Sequence, residues 1–454
     1  MLGLLIGIIV TVFVGYYIFK GYKAQTVLFT GGLILMACAI IFNFAPIIAE
    51  DKSTGFVWFD LFEWIKNNFS SRASGLGLTI MAVAGFAKYM EHIGASRALV
   101  KITIAPIKKL NSPYIILAVG YLIGQLLNIF IPSASGLGVL LMVTMYPILV
   151  GAGVSPIAAT AMIGTASCLD LGPASGNANL AATTGGVDVS LYFTQQQIPV
   201  GLLVAAGIAI SHYLVQKHYD KKEGFDPSDA VISTAGEESS ENVPKIYALL
   251  PLLPLFLILT FSSLLISSIK MDVITAMLIS VAIALLLEVI RYKGTKEVIG
   301  SIQVFFDGMG KQFATVVTLI VAGETFANGL TSVGAIDAII SGAQSAGLGA
   351  NIMIIIMTAI ISVTAIVMGS GNAPFFAFAA LAPDTAAAVG INAIKILLPM
   401  QFAAGIARSI SPITAVIVAV AGVANLDPFK VVKRTAIPML VGLILTLVGT
   451  FIFL

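Results

Sequence analysis

Long apolar runs separated by short polar turns set the plan of this 454-residue chain. Leu2 to Phe19, Val27 to Ala49, Ile198 to Val215, Ile246 to Ile269, Val273 to Ile290, Ile352 to Met368 and Ile437 to Leu454 approach or exceed the roughly 17 to 25 residues a membrane-spanning helix needs. The runs are continuous, whereas a transmembrane barrel would show short alternating segments. Several are interrupted by polar, glycine-rich breaks. In the first half these are Ser133-Ala-Ser135-Gly136 and Gly172-Pro-Ala-Ser175-Gly-Asn177; in the second, Gly369-Ser370-Gly371-Asn372 and Ser409-Ile-Ser411-Pro412-Ile-Thr414. Paired interruptions of this kind point to the binding site of a secondary transporter.

The two sets of breaks belong to an internal repeat. Phe86-Ala87 through Ile93-Gly94-Ala95 matches Phe326-Ala327 through Val333-Gly334-Ala335 at an offset of 240, which also carries Asn111 onto Asn351. The offset is 235 at Ser135-Gly136 against Ser370-Gly371, and 239 at Pro173-Ala-Ser175 against Pro412-Ile-Thr414. The chain therefore divides into a first repeat at 1–216, a linker at 217–245 and a second repeat at 246–454. Basic residues gather on the cytoplasmic side of membrane proteins. Placing Lys20, Lys23, Lys101, Lys108, Lys109, Lys217, Lys221, Lys222, Arg291, Lys293, Lys296, Lys430, Lys433 and Arg434 inside gives the halves opposite orientations and leaves both termini outside. Lys430 to Arg434 are read as a loop preceding the last helix. The predicted fold is an all-α polytopic membrane protein: two inverted repeats, about ten spanning helices and two re-entrant hairpins.

Composition narrows the class further. Apolar residues are 58% of the chain, charged residues 10%, and the mean hydropathy is +1.02, far from the roughly one-quarter charged content of a soluble domain. The net charge of +2 is spread over short loops and implies no nucleic-acid partner. Cys38 and Cys168 offer neither metal spacing nor a disulfide framework, and no cofactor is indicated. Gly224 to Asn242, acidic and serine-rich, reads as a connector.

Ser133–Gly136 and Gly369–Asn372 read as the tips of the two hairpins. In hydrocarbon, such exposed backbone persists only where protein or a water-filled cavity satisfies it. Helix N-termini there attract carboxylates, and carbonyls at opposing ends can hold a cation. The candidate substrate ligands are Ser133, Ser135, Gly136, Ser175, Asn177, Ser370, Gly371, Asn372, Arg408, Ser411 and Thr414. Arg408 lies in the apolar stretch Ile396 to Val423, where a guanidinium is costly unless paired or hydrated; it fits a substrate carboxylate by two parallel hydrogen bonds or a structural ion pair. Asp170 is its natural partner by repeat position. Alternatively it is the site of a coupling ion, H+ or Na+, or it stands apart from both. Glu324, expected opposite the segment carrying Lys88, is a second ion-coupling candidate or a polar contact at a boundary. Asn179 reads as a helix cap. Lys88, Glu91 and His92 mark a membrane interface, and the histidines His92, His212 and His218 suggest neither a metal site nor a catalytic triad.

Ile131-Pro-Ser-Ala-Ser-Gly-Leu-Gly-Val-Leu-Leu, Gly369-Ser-Gly-Asn-Ala-Pro-Phe-Phe-Ala-Phe378, Arg408-Ser-Ile-Ser-Pro412 and Val418-Ala-Val-Ala-Gly422 resemble the anaerobic four-carbon dicarboxylate carriers of the DcuC type, over nearly the whole chain. The resemblance implies a carrier of succinate, fumarate or malate in the bacterial inner membrane, with succinate efflux during fermentation among its roles. By analogy with the wider superfamily it also implies a homodimer whose transport domain moves against a scaffold. A cation/proton antiporter on the same plan is the alternative, although it needs a pair of midplane acids that Asp170 and Glu324 meet only weakly. A serine hydrolase using Ser135 lacks a histidine within reach, so an enzyme is not expected.

Overall fold

The computed structural model describes residues 2–110, 112–225, 243–262, 265–266, 268–292, 295–335, 338 and 349–454. Among these the chain is helical, with no strand. The greater part of the expected linker, 226–242, lies outside the described residues, as do Asn111 and Lys293.

Among the described residues, seven helices are long and apolar enough to cross a membrane: Ala24–Ile41, Pro113–Phe130, Val189–Glu223, Val273–Tyr292, Lys296–Ser332, Ala350–Met368 and Pro428–Phe453. An eighth span results if Val57–Ser74 and Leu76–His92, bent by 41° at Gly75, are taken together. Shorter apolar helices include Leu2–Ile18 and Lys245–Thr260. This count falls short of the expected ten, and helices interrupted in the middle do not enter it. Two such pairs are present among the described residues: Pro156–Thr165 with Gly176–Thr184, and Ile394–Arg408 with Ala415–Val423.

Local chemistry explains where these helices begin. Asp188 Oδ1 accepts from the Ser190 and Leu191 amides, and Asp427 Oδ1 accepts from Phe429 N with Pro428 at the first helical position. An acidic cap satisfies orphan amides and complements the dipole, while proline pre-sets the first turn. These caps start both helices earlier than hydropathy suggests. Lys430, Lys433 and Arg434 consequently lie within the Pro428–Phe453 helix, and not in a loop before it.

Helix limits recur at matching places in the two halves. Ala134 is followed by Asn372 as the start of the helix after the first break, Gly176 by Ala415 after the second, and the cap Asp188 by Asp427. The halves are interleaved. Ala24–Ile41 packs along Thr318–Ser332, and Val189–Glu223 runs beside Pro428–Phe453. Ala134–Thr144 of the first half lies on Ala415–Val423 of the second, while Asn372–Phe378 meets Gly176–Thr184. Ile394–Arg408 is buried over nearly its whole length, so its few polar side chains must find partners within the protein.

Candidate functional site

The interrupted helices converge on Ile394–Arg408. Gly405 is the point of closest approach: a Cβ there would lie 2.2 Å from the carbonyl oxygen of Cys168. At Gly371 it would lie 2.4 Å from the carbonyl oxygen of Ala404. Only hydrogen at these positions lets the Cys168–Asp170 break and the Gly369–Asn372 break close on the same helix.

Asp170 is the centre of the resulting cluster. Its backbone is left-handed, with φ of 50°, and its side chain is 8% exposed. Arg408 Nη2 donates to the carbonyl of Ser167 at 2.7 Å and lies 3.4 Å from Asp170 Oδ1. Asn177 Nδ2 donates to Asp170 Oδ2 at 3.0 Å and to Asn372 Oδ1 at 3.1 Å. Arginine, carboxylate and two amides from both halves thus form one hydrogen-bonded group. Arg408 Nε and Asn177 Oδ1 are buried and have no protein partner, and the same holds for Ser411 Oγ in the adjoining break. A free donor and a free acceptor beside a buried ion pair suit a polar ligand.

The serines and threonine of the breaks have local work. Ser133 Oγ accepts from Gly136 N, Ser175 Oγ from Ala178 N, and Ser370 Oγ from Ala373 N; all three hold the first turn of a helix. Thr414 Oγ1 donates to the Arg408 carbonyl at 2.5 Å. Asn179 Nδ2 donates to the Pro173 and Ser175 carbonyls, holding the break closed. Ser133, Ser135 and Gly136 make no hydrogen bond to the Asp170–Arg408 cluster among the described residues. Ser133 and Ser135 are exposed. Pro132 instead lines a small apolar cavity with Pro173 and Ala174, which places the first tip beside the second break.

Glu324 is elsewhere. Arg72, which sequence reasoning passed over, grips it in bidentate fashion: Nε to Oε2 at 2.8 Å and Nη2 to Oε1 at 2.7 Å. Lys88, on the segment expected opposite it, pairs with Glu91 at 2.9 Å in an exposed i, i+3 contact. Arg72 is short of signal in the sequence because it closes a polar stretch, Lys66 to Ser74, that reads as surface. Also unforeseen are the buried glutamines Gln197 and Gln401, joined at 3.0 Å, and Arg434, 1% exposed and 2.8 Å from Asp220. His212, fully buried, meets Thr165 Oγ1 at 2.9 Å. Among the described residues no cluster of His, Cys, Asp and Glu could hold a metal.

An all-helical membrane protein whose broken helices meet at a buried charged cluster has the construction of a transporter. The chain belongs to the DcuC family, the C4-dicarboxylate anaerobic carriers, whose pattern it matches over residues 2–454. It is 38% identical over 447 residues to the anaerobic C4-dicarboxylate transporter DcuC of Escherichia coli K12, covering 98% of this chain and 96% of that one. A probable DcuC of Vibrio cholerae is 38% identical over 454 residues, with coverage of 100% and 98%. The resemblance noted in the sequence is therefore membership, and the chain is a transporter rather than an enzyme. Two solved structures share the fold at low identity. The YdaH transporter of Alcanivorax borkumensis has a TM-score of 0.62 at 14% identity over 94% of this chain and 98% of that one. MtrF of Neisseria gonorrhoeae has 0.62 at 13%, over 94% of each.

Proposed function

We propose that the chain is a secondary carrier of short dicarboxylates such as succinate, fumarate and malate, binding them where the broken helices meet around Asp170, Asn177, Asn372 and Arg408. The observation that carries this reading is the Arg408 guanidinium, buried and held by a single nitrogen, with Nε unengaged, while Asn177 Oδ1 in the same cluster is also without a partner. A substrate carboxylate that displaces Asp170 finds the guanidinium already desolvated and oriented. The N-termini of Gly176–Thr184 and Ala415–Val423 add positive potential for the other carboxylate. Leaving either grip empty is how a diacid is chosen over a monoacid.

Charge balance supports ion coupling. Arg408 and Asp170 cancel, so a doubly charged substrate enters a low-dielectric site with its charge uncompensated, which is costly. A proton or sodium ion on the released Asp170 carboxylate offsets part of it. Glu324, already paired with Arg72, is the weaker candidate for this role. The recurring helix limits support two repeats, which on this reading are inverted and exchange access to the site, with the basic residues inside, both termini outside and the bacterial inner membrane as the location. A homodimer completes the reading.

Counterflow of labelled succinate in proteoliposomes tests it, comparing wild type with Arg408→Ala and Asn372→Ala against fumarate, malate, citrate and lactate. Competition by the short diacids, with counterflow lost in both variants, is the expected result. Sodium or proton exchange without succinate counterflow would instead favour a cation/proton antiporter.

A further inference from the structure

We propose that Gln401, together with Gln197, is a positioning residue that sets the Asp170 break in its binding geometry; the proposal rests on the substrate site lying at Asp170 and Arg408. Both glutamines and Tyr192 are fully buried. Gln197 Oε1 accepts from Gly172 N at 2.9 Å, and Gln197 Nε2 donates to Gln401 Oε1 at 3.0 Å. Tyr192 donates to that same oxygen at 2.7 Å, and Gln401 Nε2 donates to the Asp170 carbonyl at 3.0 Å. Each amide has one orientation that satisfies this chain. Because Gly172 N–H demands the oxygen of Gln197, the nitrogen of Gln197 must face Gln401, and the nitrogen of Gln401 must face Asp170.

The two backbone groups so captured flank Leu171, and Asp170 and Gly172 on either side of it have φ of 50° and 88°. A left-handed aspartate persists only where its surroundings hold it. Gln401, Gly405 and Arg408 fall at i, i+4 and i+7 on one face of one helix. That face therefore grips Asp170 twice, by its carbonyl through Gln401 and by its carboxylate through Arg408, with Gly405 admitting the close approach between. Tyr192–Gln197 forms a π-helical turn. Such turns recur at functional sites, and this one brings both Tyr192 and Gln197 toward Gln401.

The test compares Gln401→Met with Tyr192→Phe, since the second removes one donor to Gln401 yet leaves the bond to Asp170. In succinate counterflow, Gln401→Met is expected to raise KM about tenfold with Vmax within about twofold, and Tyr192→Phe to leave both near wild type. A wild-type KM in Gln401→Met, or a fall in Vmax and folded protein with KM unmoved, overturns the proposal. A second readout does not depend on the substrate. Cys168 is fully buried, so in a Cys38→Ala background its reaction with a membrane-permeant maleimide reports opening of the break. Gln401→Met should quicken it about tenfold while Tyr192→Phe does not. An unchanged labelling rate in Gln401→Met refutes the clamp whatever the substrate is, whereas absent succinate counterflow in wild type refutes only the substrate reading. Should Gln401→Met not fold, Gln197→Met, which frees the Gly172 amide, is measured by the same two readouts with the same expected results.

Discussion

Replacing Arg434 with methionine should destabilise the protein more than replacing Asp220 with asparagine, although the two side chains form one ion pair. Arg434 and Asp220 are each 1% exposed and 2.8 Å apart, yet their remaining partners differ. Asp220 also accepts from Ser155 Oγ at 2.8 Å and from Tyr114 at 3.2 Å. Arg434 is the only cation of that group, and its Nη2 additionally holds Glu223 at 2.7 Å. Arg434→Met thus strands a buried carboxylate between two neutral donors, a loss of about 3–5 kcal/mol where a buried pair is broken by removing one partner. Asp220→Asn keeps the shape and leaves Arg434 paired with Glu223, so the cost is nearer the ~1–3 kcal/mol of an impaired buried hydrogen-bond group. Thermal unfolding in detergent, followed by a thiol-reactive dye at buried Cys168 in a Cys38→Ala background, should rank wild type above Asp220→Asn and Asp220→Asn above Arg434→Met. An equal or reversed order would refute the reasoning, because it would mean that Ser155 and Tyr114 can hold the carboxylate unaided.

Gly405→Ala should lower both the unfolding temperature and succinate counterflow: a Cβ placed 2.2 Å from the Cys168 carbonyl oxygen meets backbone, and overpacking of this kind costs about 1–3 kcal/mol. Wild-type counterflow and stability would show that the break yields freely. Ser175→Ala removes the cap on Ala178 N and should cost about 1 kcal/mol, read as a small fall in unfolding temperature. Arg72→Met should destabilise less than Arg434→Met, since the Arg72 side chain is 32% exposed and water can reach the released Glu324; the same dye assay ranks them.

The breaks were legible in the sequence because glycine, proline and serine have no other reason to cluster inside apolar runs, and the pairing of Asp170 with Arg408 was one of three alternatives that the sequence left open. Arg72 and Arg434 were not legible, for opposite reasons. Arg72 sits among polar neighbours and reads as surface, whereas its partner Glu324 lies 252 positions away in sequence. Arg434 follows Lys430 and Lys433 and reads as part of a cytoplasmic loop, until Asp427 and Pro428 start the helix early and turn it inward. The serines of the breaks were read as substrate ligands from their place at helix breaks; the geometry gives Ser133, Ser175 and Ser370 helix-capping bonds. Local pattern locates an interruption, but it does not say which of the interruption's polar atoms are already spent on the backbone.

That distinction bears on how the site can be both specific and mobile. Ser133, Ser175, Ser370 and Asn179 satisfy backbone groups of three of the four breaks from within, so such a break could move as a unit without exposing those groups to hydrocarbon. In an alternating-access reading, the bonds that would change are those that join a break to the other half of the chain: Asn177 to Asn372, Arg408 to Asp170 and to the Ser167 carbonyl, and Gln401 to the Asp170 carbonyl. All four bring together residues from different halves of the chain, and the first three lie where the substrate is proposed to bind. A diacid that takes over the guanidinium would replace one inter-half contact with its own carboxylate. Occupancy would then alter the link between the halves directly, since a ligand shifts a conformational equilibrium only through contacts that differ between its states.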